Sequence, residues 1–202
     1  IRGALPWLVF SGLPLLGVVV ALLLMLLTAK QGVAGGRPSI RAPFVFAVFG
    51  FLMIAAGIAA NFVLGIGDLE LIATNGSAAT SFEEGATLYL VYGTTLGVLG
   101  GLLFWAPKLW GRVVGDKQAI PLALLGLAGT VLASLPLIIG GFFDLAGGVP
   151  ASDADVASLL TLDGVDGASL WLILSLVGHG LVVLTVVATV GLMLSSFLGD
   201  GE

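Results

Sequence analysis

The chain has 202 residues, 58% of them apolar and only 9% charged, with a formal net charge of −5 and no cysteine. With a mean hydropathy of +1.18, it belongs to the membrane class, because a soluble domain of this size could not hide so much apolar surface. Disulfides, thiolate metal sites and redox-active thiols are excluded, and no basic patch invites nucleic acid.

Five blocks carry no Asp, Glu, Lys or Arg: residues 3–28, 43–67, 85–107, 118–143 and 167–199. Each reaches the length of about 20 residues that an α-helix needs to cross roughly 30 Å of hydrocarbon. The expected fold is therefore all-α, an integral membrane five-helix bundle forming a single transmembrane domain over residues 1–202. Its helices are placed at about 5–28, 43–66, 85–107, 118–143 and 167–197.

The first helix is rich in Leu and Val, with Pro6 and Pro14 near its start, where neighbours can re-satisfy freed carbonyls. A Gly/Pro-punctuated connection breaks it before Pro43. Phe44, Phe46, Phe49 and Phe51 mark the beginning of the second helix, and Asn61 lies deeper in it. The connection that follows is polar; its Asn75-Gly76-Ser77 triplet fits a glycosylation acceptor but is read as a turn. Helix three carries Gly93, Gly97 and Gly101 at four-residue spacing, a small-residue stripe that lets a neighbouring backbone approach. It ends at Phe104-Trp105-Ala106-Pro107-Lys108, with Trp suited to the interface and Lys to lipid headgroups. Helix four places Gly126, Gly129, Ala133 and Pro136 on one side. The long acidic connection before helix five leaves room for a short surface helix over residues 154–162. Helix five holds His179, the one histidine of the chain, between two glycines.

Charge is segregated between the connections. Lys30, Arg37, Arg41, Lys108, Arg112 and Lys117 fall after helices one and three. Asp68, Glu70, Glu83, Glu84, Asp144, Asp153, Asp155, Asp163 and Asp166 fall after helices two and four. The positive-inside rule then puts the N-terminus outside and the C-terminus in the cytoplasm. An outward start, Ile1 and the lack of a signal-peptide pattern lead to the expectation of a fragment, a processed chain or the later part of a longer one.

Few residues offer chemistry. His179 inside a span marks function by default. A lone imidazole without Cys, a second His or a carboxylate in the spans cannot build a metal site. The preferred reading is a neutral His bonded to a carbonyl or hydroxyl across a helix pair. Tyr89, Tyr92, Thr94 and Thr95 could line a proton path but are read as hydrogen-bonding between helices, and Asn61 likewise. Glu83-Glu84 could accept protons at a pore mouth; the preferred reading is a solvated helix N-terminus, where acids suit the macrodipole. No phosphate loop, dinucleotide fingerprint or nucleophilic triad is present. Catalytic, cofactor-binding and metal residues are thus all expected to be absent.

The string Tyr92-Gly93, followed by Gly101-Leu102-Leu103-Phe104-Trp105-Ala106-Pro107-Lys108-Leu109-Trp110-Gly111-Arg112, resembles the end of the tenth helix of subunit I of haem–copper oxidases. In layout the chain resembles the last five helices of that subunit, and the segment from about residue 43 is similar to the ninth. The family's orientation agrees with that from charge. The family's tenth helix begins with two histidines, one residue apart, that bind the haem irons. Here those positions fall near Gly85 and Thr87, in Glu84-Gly85-Ala86-Thr87-Leu88, with no histidine. The family's other ligands lie on earlier helices, and the helix matching that of His179 carries none.

What the resemblance implies is a non-catalytic, oxidase-derived membrane subunit or domain of a prokaryotic cytochrome c oxidase or respiratory supercomplex, structural in aerobic electron transport. Haem and copper would reside in partner subunits, with none in this chain. Partners would be other membrane subunits, lipids and a periplasmic electron carrier, in a prokaryotic plasma membrane. A split oxidase subunit completed by another chain, and a small channel or carrier component, remain as alternatives.

Overall fold

The computed structural model describes residues 4–33, 40–68, 81–142 and 168–198. The turn at Asn75-Gly76-Ser77 and the surface helix over 154–162 lie outside them. Five helices follow in order: α1 (Ala4–Val33), α2 (Ala42–Asp68), α3 (Ser81–Trp110), α4 (Asp116–Phe142) and α5 (Ala168–Leu198). The described residues contain no strand. By length and composition α2 to α5 each suffice to cross a membrane, and α1 contributes a shorter apolar stretch, Gly12–Leu24. The chain is a multi-pass helical membrane protein.

The first three helices outrun the expected bounds, most of all α3, which starts four residues before 85 and continues through Pro107 to Trp110, while α4 and α5 match theirs to within two residues. Charge-free length measures the hydrocarbon, whereas a helix continues into the headgroup layer with its charged ends, here Glu83, Glu84 and Lys108. Pro107 sits in the last turn and has no N–H to return to the Leu103 carbonyl. Gly111 then closes the helix: its φ of 74° is left-handed, and its N–H donates to the Pro107 carbonyl at 2.9 Å.

Consecutive helices pack antiparallel, as the partner positions show. Along α2 and α3, Gly57 meets Ala86 and Leu90, Gly50 meets Gly93 and Gly97, and Pro43 and Ala47 meet Gly100. Along α3 and α4, Ser81 meets Leu137, Gly85 meets Ser134, and Leu96 meets Gly126. Along α4 and α5, Ala133 meets Gly178, Gly129 meets Val182, and Gly126 meets Thr185. Lipid tails are as apolar as these side chains, so association rests on close van der Waals contact, which small residues permit. Outward faces stay apolar, for example Val98, Leu176, Val183 and Val187, all at least half exposed.

The α2–α3 seam departs from the expected stripe. A Cβ at Gly50 would come within 2.6 Å of the Gly93 carbonyl and the Gly97 nitrogen, and one at Gly100 within 2.9 Å of the Pro43 carbonyl. Gly101 faces open space. At about 100° per residue, position 100 lies about 20° from the direction of Gly93 and position 101 about 80° away. The seam therefore runs through Gly93 and Gly100, with the Gly97 backbone against Gly50 although a Cβ at Gly97 would meet nothing within 4 Å.

One end of the bundle gathers the beginning of α2, the α3–α4 turn and the end of α5. There the Ala42 N–H donates to Asp116 Oδ1 at 2.9 Å, so the first turn of α4 caps α2. Arg112 Nη1 donates to the Ser196 carbonyl at 3.4 Å, a cation at the C-terminal turn of α5. Phe46, fully buried, joins Leu96, Leu99, Leu103 and Met193 in the apolar core on this side.

Candidate functional site

The polar residues singled out in the sequence do not converge. Asn61 Nδ2 donates to the Gly57 carbonyl at 2.9 Å, four residues back on its own helix. Thr94 and Thr95 donate to Leu90 and Val91 in the same way, at 2.7 and 2.9 Å. In a membrane this local bond answers a hydroxyl or amide without any partner helix. The expectation that these side chains bond between helices is corrected for Asn61, Thr94 and Thr95. Glu83 and Glu84 are exposed in the first turn of α3, where their charge suits the helix dipole.

His179 is half-buried. Its Nδ1–H donates to the Ser175 carbonyl at 2.7 Å, since a carbonyl can only accept. That bond lies within α5, not across a helix pair as expected. The contact across the pair is aromatic: the ring stands edge-on to Tyr92 of α3, centroids 5.5 Å apart at 83°. Tyr92 and His179 thus bridge two helices that otherwise touch little, while Tyr89, buried, lies one turn before Tyr92.

Three contacts that sequence reasoning missed do more. Ser175 Oγ donates to the Ala133 carbonyl of α4 at 2.7 Å, and Ser81 Oγ to the Leu137 carbonyl of α4 at 2.9 Å; both serines are buried. Gly178 lies so near the backbone of Leu132 and Ala133 that any Cβ would collide with it. Pro136 sits four residues after Leu132 and has no N–H to return to that carbonyl. Nothing but the serine and glycine types hinted at these roles, because the partner in each case is backbone. Two buried hydroxyls, Ser134 Oγ and Thr189 Oγ1, have no partner among the described residues.

The segment to which the resemblance points is filled by protein. A Cβ on Gly85 would come within 2.6 Å of the Ser134 carbonyl and 2.9 Å of the Ile138 nitrogen. Ala86 is fully buried, and Thr87 faces outward. Among the described residues no three His, Asp or Glu side chains come together as a metal-binding group.

These contacts define a helical membrane bundle in which most of the polar side chains named here bond to backbone, within a helix or across a pair. No protein-family model matches the chain, and no curated protein does.

Proposed function

We propose that the chain is a non-catalytic, oxidase-derived membrane subunit or domain that packs within a prokaryotic terminal cytochrome c oxidase or respiratory supercomplex. Its work is structural and supports assembly; haem and copper belong to partner subunits. The end carrying Arg41, Lys108, Arg112 and Lys117 faces the cytoplasm, which leaves the N-terminus outside the plasma membrane and the C-terminus inside.

The observation that carries the non-catalytic reading is the packing of Gly85. Near this position the oxidase resemblance calls for an iron-ligating imidazole, and the α4 backbone occupies the place of even a single added carbon. Bonds of Asn61, Thr94 and Thr95 to their own helices favour the structural role over a carrier, which needs polar groups converging at mid-membrane. The apolar outward faces of α3 and α5 are available to helices of neighbouring subunits. Acidic connections on the outer side would hasten encounter with a basic periplasmic electron carrier.

The test is purification of the native complex in mild detergent, with identification of accompanying polypeptides and a reduced-minus-oxidised haem spectrum. Oxidase subunits are expected to accompany the chain, and the haem signal to leave with them when the chain is separated. Stoichiometric haem held by the isolated chain would overturn the non-catalytic role. Partners without any respiratory subunit would overturn the oxidase assignment.

A further inference from the structure

We infer that the basic end of the bundle holds an anionic phospholipid by its phosphate, an inference independent of the oxidase relationship. A cavity of about 250 Å³ opens between the beginning of α2, the last turn of α3 and the α3–α4 turn. Arg41, Lys108 and Asp116 supply its charged lining, and Leu103, Phe104 and Pro107 much of its apolar wall. Depth gives this arrangement its meaning. The apolar spans begin at Ala42 and Asp116 and end at Leu109, so the three charged residues sit where hydrocarbon gives way to headgroups. Leu103 lies five residues back along α3 from Lys108, roughly 8 Å deeper. The cavity thus has a charged mouth at phosphate depth and an apolar wall in the acyl layer, which suits a lipid and not a free anion.

Charge selects the lipid class. Among the described residues this end carries Arg41, Lys108, Arg112 and Lys117 against one carboxylate, Asp116. One oxygen of that carboxylate accepts from the Ala42 N–H, so the start of α2 is already capped and is not the anion site. Arg112 is turned to the Ser196 carbonyl. Lys108 stays at the mouth, its Nζ 3.8 Å from the Phe104 ring centroid and 4.3 Å from that of Trp105. This aromatic shelf holds the ammonium at the interface while its stem covers apolar surface. Arg41 is exposed and has no ion pair among the described residues. Two cations against one carboxylate, itself engaged with the Ala42 N–H, leave the mouth net positive, which favours a net negative headgroup over a zwitterionic one.

Native mass spectrometry of the full chain, released from detergent with phosphatidylglycerol or phosphatidylcholine of equal chain length, tests this. One phosphatidylglycerol is expected to stay bound in preference. Arg41→Gln and Lys108→Gln should each weaken its retention about fivefold, and together about thirtyfold. Lys117→Gln, outside the cavity, should change it less than twofold, and Lys108→Arg should preserve it. Should a Gln variant fold poorly, raising salt on the unaltered chain must weaken phosphatidylglycerol and spare phosphatidylcholine. Equal retention of both lipids, an equal loss in Lys117→Gln, or displacement by millimolar inorganic phosphate would each overturn the inference.

Discussion

Ser134 and Ser175 are both buried serines facing the interior of the bundle, and they have opposite expected effects. Ser175 Oγ donates across to the Ala133 carbonyl, and bonds of this kind between membrane helices average about 0.6 kcal/mol. Ser175→Ala should therefore lower stability by roughly that amount. Ser134 Oγ is buried without a partner among the described residues, so Ser134→Ala sheds an unanswered hydroxyl and should be neutral or stabilising by up to about 1 kcal/mol. Equilibrium unfolding in mixed micelles checks both; a larger loss at Ser134 than at Ser175 would contradict the assignment. Sequence could name neither serine, because what separates them is the position of a carbonyl on another helix. His179 was legible as the residue to watch and as a group bonded to carbonyl. Its partner was not, since an imidazole reaching back along α5 leaves no trace in residue order.

At the level of helices, the membrane itself made most of the architecture readable. A charge within a span is expensive, so charge-free blocks outline the helices closely even without relatives. What failed was the choice of seam. Gly93, Gly97 and Gly101 share a four-residue spacing, but two crossing helices return to one another nearer every seven residues, which selects Gly93 and Gly100. Gly50 and Gly57 on α2 follow the same seven-residue interval and meet α3. Gly100→Val should accordingly destabilise the α2–α3 pair by about 1–3 kcal/mol, with Gly50→Val at least as severe. Gly101→Val should be nearly neutral. Thermal unfolding of the three variants in one detergent gives the order, and parity between positions 100 and 101 would refute the seam. The seat of Gly85 against α4 was equally hidden: residue order shows a glycine, whereas only packing shows how closely the α4 backbone approaches it.

For the whole molecule, the segregation of charge is the feature with the widest reach. Arg41, Lys108, Arg112 and Lys117 share one end of the antiparallel bundle, and Glu83 and Glu84 stand at the other. The absence of native cysteine makes the orientation directly measurable. Glu83→Cys should react with a membrane-impermeant maleimide in intact cells, and Gly115→Cys only after the membrane is opened. The reverse pattern would overturn the proposed orientation with the basic end in the cytoplasm. That end was legible as a set of cations and an interfacial Trp, but its cavity was not, because Arg41 and Asp116 are brought together only by the fold.

The bond between the Ala42 amide and Asp116 spans 74 positions of chain, and this separation sets an order of events during synthesis. When α2 enters the bilayer, the residue that finishes its first turn has not yet been made. The amide waits until α3 has crossed and the ribosome has released the first turn of α4. In a series of arrested nascent chains, protection of the Ala42 amide should therefore arrive late and abruptly, at the length that frees Asp116 from the exit tunnel.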